Sequence, residues 1–173
     1  LTTIPAEFDP IRAYDAESIH LISQIYEPLY TFAYLKKPYE VIPHIAEKLP
    51  KIEYFNQHHQ QVFNENLGEV AQTVYTIPIK HGIFYQPHPG FCDEHQQLDC
   101  HLYRRELSAD DYVYQIKRIA QPYSHSPITS ILRRYVLGFK EYMDAVKEEP
   151  MAWRDYTAEE IEGVKAVDSY TLK

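Results

Sequence analysis

Apolar and polar positions recur most regularly in residues 105–122. Apolar side chains return there at steps of three and four residues, which is the spacing of one face of an α-helix. The apolar positions are Ala109, Tyr112, Val113, Ile116, Ile119 and Ala120. Gln115, Lys117 and Arg118 are predicted to face away from this stripe. The pattern predicts an amphipathic helix packed on a sheet that contains residues 74–80.

The two ends of this helix are also marked in the sequence. Ser108 can accept hydrogen bonds from the first free backbone amides, and Asp111, three residues on, completes the sequence of a capping box. Asp110 and Asp111 both favour the positive end of the helix dipole. Pro122 cannot continue the helix, because it has no N–H and its ring clashes with the preceding turn. We therefore predict a helix that begins at Ser108 and ends before Pro122.

The first half of the chain is predicted to consist of short elements joined by turns. Residues 16–26 carry a helical stripe closed by Pro28, and residues 29–34 have the alternation and aromatic content of a strand. Residues 41–50 contain two prolines, and we predict a connector with one turn of helix there. Residues 53–69 are rich in Gln, Asn and His, which favours a polar surface loop or a short hairpin.

A β-prone run follows in residues 70–80, where β-branched side chains are frequent. The turn at Gly82 precedes a second apolar run, residues 83–86, so we predict a hairpin. Pro78 within the first arm cannot donate to a neighbouring strand, which argues for an edge strand or a bulge.

The last third of the chain contains two further predicted elements. Residues 131–146 have a weak helical stripe, and Gly138 lowers the helix propensity of this stretch further. Residues 164–173 alternate about Asp168 and Ser169, which predicts a hairpin at the end of the sequence.

Composition limits the class of protein. The chain has 173 residues, 45% hydrophobic and 24% charged, which is ordinary for a single globular domain. Seventeen basic against 25 acidic residues give a net charge of −8, and no basic block could follow a phosphate backbone, so we expect no nucleic-acid partner. No apolar run approaches the roughly 18 residues of a membrane span, so the chain itself is not expected to cross a membrane.

Several motifs follow one another in a fixed order along the chain. They are Phe8-Asp-Pro10 with Ser18 and Gln24-Ile-Tyr-Glu-Pro-Leu29; Ile42-Pro-His-Ile-Ala-Glu47; Val74-Tyr-Thr-Ile-Pro-Ile-Lys-His-Gly82; Ser108-Ala-Asp-Asp-Tyr-Val-Tyr-Gln-Ile-Lys-Arg118; Ser126-Pro127; and Glu162-Gly-Val-Lys-Ala-Val-Asp-Ser-Tyr-Thr171. This order resembles the extracellular solute-binding proteins of the peptide, nickel and opine class, which are the receptors of bacterial ABC importers.

The resemblance implies an α/β fold, namely the amino-terminal part of a periplasmic-binding-protein type II-like two-lobed fold with a mixed sheet and flanking helices. It implies that residues 1–44 belong to the first lobe, residues 45–159 form a small accessory domain, and residues 160–173 return to the first lobe. Members of the class are much longer than 173 residues, so we expect this chain to be a truncated piece of such a protein.

The resemblance also implies a function without chemistry or cofactors. The protein is expected to capture peptides or similar small polar solutes and to deliver them to an ABC permease in the membrane. It would work in the periplasm or on the extracellular face of the cytoplasmic membrane, after cleavage of a signal sequence and with or without a lipid anchor. Alternatives are a peptide-binding sensor or chaperone-like protein not coupled to transport, a zinc-binding domain, and a hydrolase. For a hydrolase, the Ser124-His-Ser126 sequence lacks the Gly-x-Ser-x-Gly elbow.

Two segments are the candidate ligand contacts. In peptide-binding members of the class, the extended segment after the Asp-Pro motif meets the ligand backbone, which places Ala13, Tyr14 and Asp15 there. Asp15 could hold a terminal ammonium group, or it could instead cap the following helix. Ile128, directly after Pro127, stands where members of the class carry an aromatic ligand contact, so its contact would be apolar only.

A pair of cysteines forms a second constellation. Cys92 and Cys100 share a loop with His88, His95 and His101, and thiolate and imidazole groups can bind zinc, although this spacing is not a recognised zinc motif. The oxidising compartment that the resemblance implies favours a Cys92–Cys100 disulfide instead.

Overall fold

The computed structural model describes residues 4–63, 68–91, 103–148, 156 and 159–173. The helices are α1 (Ala16–Ile22), α2 (Ala109–Ile119), α3 (Thr129–Tyr135) and α4 (Phe139–Glu148), with 3₁₀ turns at Pro89–Phe91 and Pro122–Ser124. The strands are β1 (Tyr30–Phe32), β2 (Val41–Pro43), β3 (Lys51–Phe55), β4 (Gln61–Val62), β5 (Gln72–Pro78), β6 (Ala166–Asp168) and β7 (Thr171–Leu172). This mixed α/β composition agrees with the predicted fold class.

The strands of the described residues form two antiparallel sheets. The smaller sheet pairs β1 with β2, and the larger has five strands in the order β4-β3-β5-β7-β6. Strand β5 lies at its centre, because it pairs with β3 on one side and with β7 on the other. The Ile77–Leu172 pair therefore joins the middle of the chain to its last residues.

Helix α2 has the predicted position and the predicted cap. It packs against β6 and β7 of the larger sheet. The Ser108 N–H donates to Asp111 Oδ2 at 2.9 Å, and both hydrogen bonds of the capping box are present. Ala120 is the C-cap of the helix, and Pro122 begins the following 3₁₀ turn. The packing on the sheet and the helix boundaries predicted from the sequence are confirmed.

An arginine that lies over two neighbouring aromatic rings fixes the start of α2. Arg105 Nη2 donates to Asp111 Oδ1 at 2.5 Å, and its Cζ lies 4.8 Å from the ring centroid of Tyr85 and 5.3 Å from that of Phe91. Burial, with the nearby Asp111 carboxylate, raises the pKa of Tyr85 to about 12. The cluster ties residues 83–91 to the helix.

The hydrophobic core joins the helices to the sheet. Its most deeply buried side chains are Ile79, Ala109, Phe139, Val146 and Ile161. Tyr112, Val113 and Ile116 of α2 pack against this cluster from its margin. The core therefore holds together α2, α4, the end of β5 and the C-terminal hairpin, which was predicted correctly for residues 164–173.

The polar face of α2 differs from the prediction at Lys117. This side chain is only 5% exposed, and its Nζ donates to the Tyr156 backbone oxygen at 2.5 Å. The Tyr114 and Tyr156 rings meet edge to face, with centroids 4.9 Å apart. Tyr156 thus covers part of the side of the helix that faces away from the apolar stripe, and of the three residues predicted to face away only Gln115 is exposed.

Residues 41–50 do not contain the predicted turn of helix. Val41–Pro43 is a strand that pairs with β1, with Tyr30 opposite Pro43. The pairing continues beyond the strand, where the His44 N–H donates to the Leu29 oxygen at 2.9 Å. Pro43 is tolerated because it occupies the last position of a strand at the edge of a two-stranded sheet.

The predicted hairpin between residues 70–80 and 83–86 is also wrong. Residues 83–86 turn away after Gly82, which has a positive φ of 74°, and pair with the segment before α2. The Leu107 N–H donates to the Ile83 oxygen at 2.8 Å in this pairing. Strand β5 is central rather than an edge, and it accommodates Pro78 because that proline is its last residue.

Gly138 divides the predicted helix of residues 131–146 into α3 and α4. Its φ is 75°, and a Cβ at this position would lie 2.9 Å from both Cβ and backbone N of Glu162. A side chain would collide with that backbone, so the break depends on glycine. The polar residues 53–69 form a short hairpin from β3 and β4 in their described part, which is one of the two predicted forms.

Candidate functional site

The candidate ligand segment is folded onto helix α2 through Asp9. The Asp9 backbone oxygen accepts from the N–H groups of Arg12 and Ala13, both at 3.0 Å, and its Oδ1 accepts from the Ile11 N–H at 3.2 Å. Its Oδ2 accepts from Arg118 Nη2 at 2.5 Å. The Asp9 side chain is 25% exposed and the Arg118 side chain is 34% exposed, so the ion pair is partly shielded from water. The segment after the Asp-Pro motif is therefore fixed by hydrogen bonds at its beginning.

Asp15 ends this segment as the cap of α1. Its Oδ1 accepts from the Ser18 N–H at 2.8 Å, and Ser18 Oγ, which is fully buried, accepts from the Glu7 N–H at 3.1 Å. Hydrogen bonds from the Ser18 side chain and backbone lower the pKa of Asp15 below its ordinary value of 3.8. The helix-capping role weighed in the sequence analysis is present, and a ligand contact by the same carboxylate stays a prediction.

The other candidate contacts are accessible to a solute. Tyr14 is 81% exposed and Ile128 is 42% exposed, whereas Ala13 is partly buried. Ile128 is the residue that directly precedes α3. Both segments present apolar surface to solvent without any rearrangement of their backbones.

The two candidate segments are anchored to the same end of α2. Asp9 contacts Arg118 in the last turn of that helix. Ser124 Oγ donates to the Ile119 oxygen at 2.9 Å and accepts from the Ser126 N–H at 3.4 Å, which fixes the loop before Ile128. Among the described residues, no hydrogen bond joins the two segments directly. The end of α2 therefore sets their relative position.

Arg118 is the site residue that the sequence analysis missed. It was predicted to face away from the packed side of α2, yet it reaches the carboxylate of Asp9, 109 positions earlier. The helical stripe distinguishes only an apolar from a polar face, so it carries no signal for a polar residue that pairs with a distant segment. The Asp-Pro turn alone gave no indication of its partner either.

The cysteine constellation lies largely outside the described residues. Cys92, Cys100, His95 and His101 all fall there, so the disulfide and the zinc alternative both stay predictions. His88 is described, and its Nδ1 accepts from the Gly90 N–H at 3.0 Å. Within the described ranges, no three His, Cys, Asp or Glu side chains converge as metal ligands would. The same ranges contain no helix with the length and apolar character of a membrane span.

Comparison with solved structures first defines the class of fold. No family model matches the sequence, and no curated protein matches it. The structure is similar to solved structures of solute-binding proteins that have the periplasmic-binding-protein type II-like fold. The α/β fold predicted from the motifs is therefore confirmed.

Three particular structures illustrate the likeness. OppA of Listeria monocytogenes, bound to peptide, is 20% identical with a TM-score of 0.57, and the match covers 98% of this chain. MppA, the murein tripeptide binding protein of Escherichia coli, is 17% identical with a TM-score of 0.56 and 97% coverage. The peptide-binding pheromone receptor PrgZ is 21% identical with a TM-score of 0.52 and 95% coverage. This chain spans 24% of the length of each.

Proposed function

We propose that the chain is part of a substrate-binding receptor of an ABC importer, which captures peptides or similar small polar solutes and passes them to a permease. The observation that carries the proposal is the fold, which matches peptide-binding proteins over 95–98% of this chain. Such a receptor works in the periplasm or at the extracellular face of the cytoplasmic membrane, and it changes no covalent bond of its ligand. A sensor or chaperone-like peptide binder without a transporter is the second candidate, since it would use the same fold.

The binding mode that we propose uses the exposed segment at Tyr14. An extended peptide leaves its own amide groups unpaired, and it can satisfy them by pairing with the backbone of an extended protein segment. The Tyr14 ring would contact the peptide's side chains, Asp15 would attract its ammonium group, and Ile128 would add an apolar contact. The Asp9–Arg118 pair would hold this segment in place in the absence of ligand.

The domain division implied by the resemblance is part of the proposal. Residues 1–44 and 160–173 would contribute to one lobe and residues 45–159 to a small accessory domain. Strand β5 would belong to the accessory domain and β7 to the lobe, and the two strands are paired in one sheet. The accessory domain would therefore be continuous with the lobe rather than joined to it by a free linker.

The test is a thermal-shift screen of the complete product of the gene and, in parallel, of the 173-residue chain. The ligands are di- to pentapeptides, nickel chelates and oligosaccharides. We expect peptides to raise the melting temperature of the complete product increasingly with concentration, because a ligand that binds only the folded state stabilises it. The 173-residue chain should respond weakly or not at all, because enclosure of a ligand contributes much of its affinity.

Two substitutions of Asp15 separate ligand contact from helix capping. Asn caps helices about as well as Asp but carries no charge, whereas Ala does neither. Loss of peptide binding in both Asp15→Asn and Asp15→Ala would support ammonium capture, and loss in Asp15→Ala alone would assign Asp15 to capping. Stabilisation by sugars or chelates without any response to peptides would contradict the peptide assignment. Turnover of a ligand would contradict the receptor function itself.

A further inference from the structure

A pocket of about 600 Å³ opens beside helices α3 and α4. Its lining consists of three hydroxyl-bearing residues, two arginines and two apolar residues, namely Ser126, Thr129, Ser130, Arg133, Arg134, Pro127 and Met143. The four residues from α3 form two adjacent pairs, 129–130 and 133–134, which are four positions apart, so the pairs lie one above the other on the same side of the helix. Hydroxyl and guanidinium groups, which are hydrogen-bond donors, therefore line the same pocket.

The arginines of this pocket have no carboxylate partner among the described residues. Arg133 and Arg134 are exposed, and neither forms an ion pair within the described residues, whereas Arg105 and Arg118 each contact a carboxylate at 2.5 Å. Arg134 lies only over the ring of Tyr135, with its Cζ 5.3 Å from the centroid. No lining residue is acidic, although the chain as a whole has a net charge of −8. The pocket is therefore a positive site on an acidic protein.

Ser126 adds an unpaired donor to the same site. The residue is 8% exposed, and its Oγ is buried without a hydrogen-bond partner among the described residues. Its backbone oxygen is already engaged, since it accepts from Thr129 Oγ1 at 2.9 Å. A buried hydroxyl without a partner is unfavourable, so the Ser126 side chain would gain a partner by rotating its Oγ towards an acceptor oxygen bound in the pocket.

We propose that this pocket binds a small anionic group, a carboxylate or a phosphate of a small solute. Arginine presents its donors in a planar fork that matches two oxygens of either group, and such charged hydrogen bonds are stronger than neutral ones. The Ser126 and Ser130 hydroxyls would donate to the remaining oxygens, and Met143 would contact the carbon atoms next to the charged group. The lining residues lie on both sides of Ile128 in the chain, but anion binding here requires neither peptide binding nor transport.

The test is an NMR titration of the ¹⁵N-labelled 173-residue chain with inorganic phosphate and, separately, with succinate, at constant ionic strength. We expect saturable shifts at the amides of residues 126 and 128–134 and at the arginine Nε groups of the pocket. Replacing both arginines, Arg133→Gln with Arg134→Gln, should weaken the affinity by about tenfold or more, because charged hydrogen bonds are lost. Ser130→Ala should weaken it less. Succinamide, which has the same shape without charge, should produce no saturable shift.

Arg104→Gln is the matched control, because Arg104 is an exposed arginine that does not line the pocket. Binding that survives Arg104→Gln and is lost in the double variant would support the site, and the anion that saturates it identifies the group that is recognised. Equal losses in the control and the double variant would overturn the proposal, as would the absence of saturable shifts with both anions. If the double variant does not fold, the shifts of the unmodified chain and of Ser130→Ala decide the question.

Discussion

Apolar side chains are buried in one region of this structure and largely exposed in another. In the region built from α2, α4 and the larger sheet, Phe139 and Val146 are fully buried. In residues 4–43, by contrast, Tyr34 is 95% exposed and Leu35 is 90% exposed. Burial of apolar surface is the main favourable term in folding, so stability is concentrated in the first region. The amino-terminal region is expected to open locally at a lower free-energy cost.

Specific contacts rather than extensive packing hold the amino-terminal region in place. Ile11 is its one side chain in the buried cluster of the described residues, at 5% exposure. Asp9 adds the ion pair with Arg118. Since three of the candidate ligand contacts, Ala13, Tyr14 and Asp15, lie between Ile11 and α1, the contacts of Ile11 and Asp9 decide how well this segment is ordered before a ligand arrives. Order of that kind reduces the entropy cost of binding.

The largest expected effect is a substitution in the buried region. Phe139→Ala should lower the free energy of unfolding by about 3–5 kcal/mol, because it removes a fully buried ring and leaves a cavity. Phe32→Ala in β1 should cost less than about 1 kcal/mol, because that ring is 64% exposed. Urea denaturation followed by circular dichroism measures both. Phe139→Leu, with a smaller cavity, should fall between them.

Similar losses in Phe139→Ala and Phe32→Ala would contradict the comparison of the two regions. That result would mean that the rings in β1 and the neighbouring turn are buried in solution. If Phe139→Ala does not fold at all, Phe139→Leu supplies the measurement against Phe32→Ala.

A smaller effect is expected where the two regions meet. Asp9→Asn or Arg118→Gln should cost about 1–2 kcal/mol, between the values of exposed and buried ion pairs, because both side chains are partly shielded. The double variant should cost little more than either single one, as a direct interaction requires. Hydrogen exchange at residues 9–15 should accelerate in each variant, while exchange in α2 changes less. Additive losses would show that the two side chains act independently.

Sequence signals correctly predicted the elements that depend on interactions between residues close together in the chain. The capping box and the helical stripe fixed α2 because they involve residues at most four positions apart. The hairpin at residues 164–173 was found for the same reason. The motif order then predicted the fold class, which reflects resemblance to a family rather than a physical derivation.

Contacts between distant residues escaped prediction. Strand β5 was expected to pair with the next apolar run, but it pairs with β3 and with β7, where Ile77 lies opposite Leu172. Lys117 was assigned to the exposed face, because its contact with the Tyr156 backbone, 39 positions away, gives no signal in the helix sequence. At the candidate site, the Asp15 cap was one of two alternatives that the sequence could not separate, since a carboxylate before a helix serves either purpose.

The smallest expected effect concerns the charge of Asp15, which begins the first helix of the weakly packed region. Hydrogen bonds from Ser18 keep its folded pKa below the ordinary value of 3.8, so the folded state binds a proton less readily than the unfolded state. The charged cap therefore stabilises the fold at pH values above 3.8, and this contribution is lost as the pH falls through the lower folded pKa. Asp15→Asn retains a capping side chain without the charge, so the wild type should be the more stable of the two at pH 6. The difference between their urea midpoints should shrink towards pH 3, and Asp15→Ala should be less stable than Asp15→Asn at both pH values. A difference between wild type and Asp15→Asn that does not change with pH would show that the carboxylate's charge does not contribute to the cap.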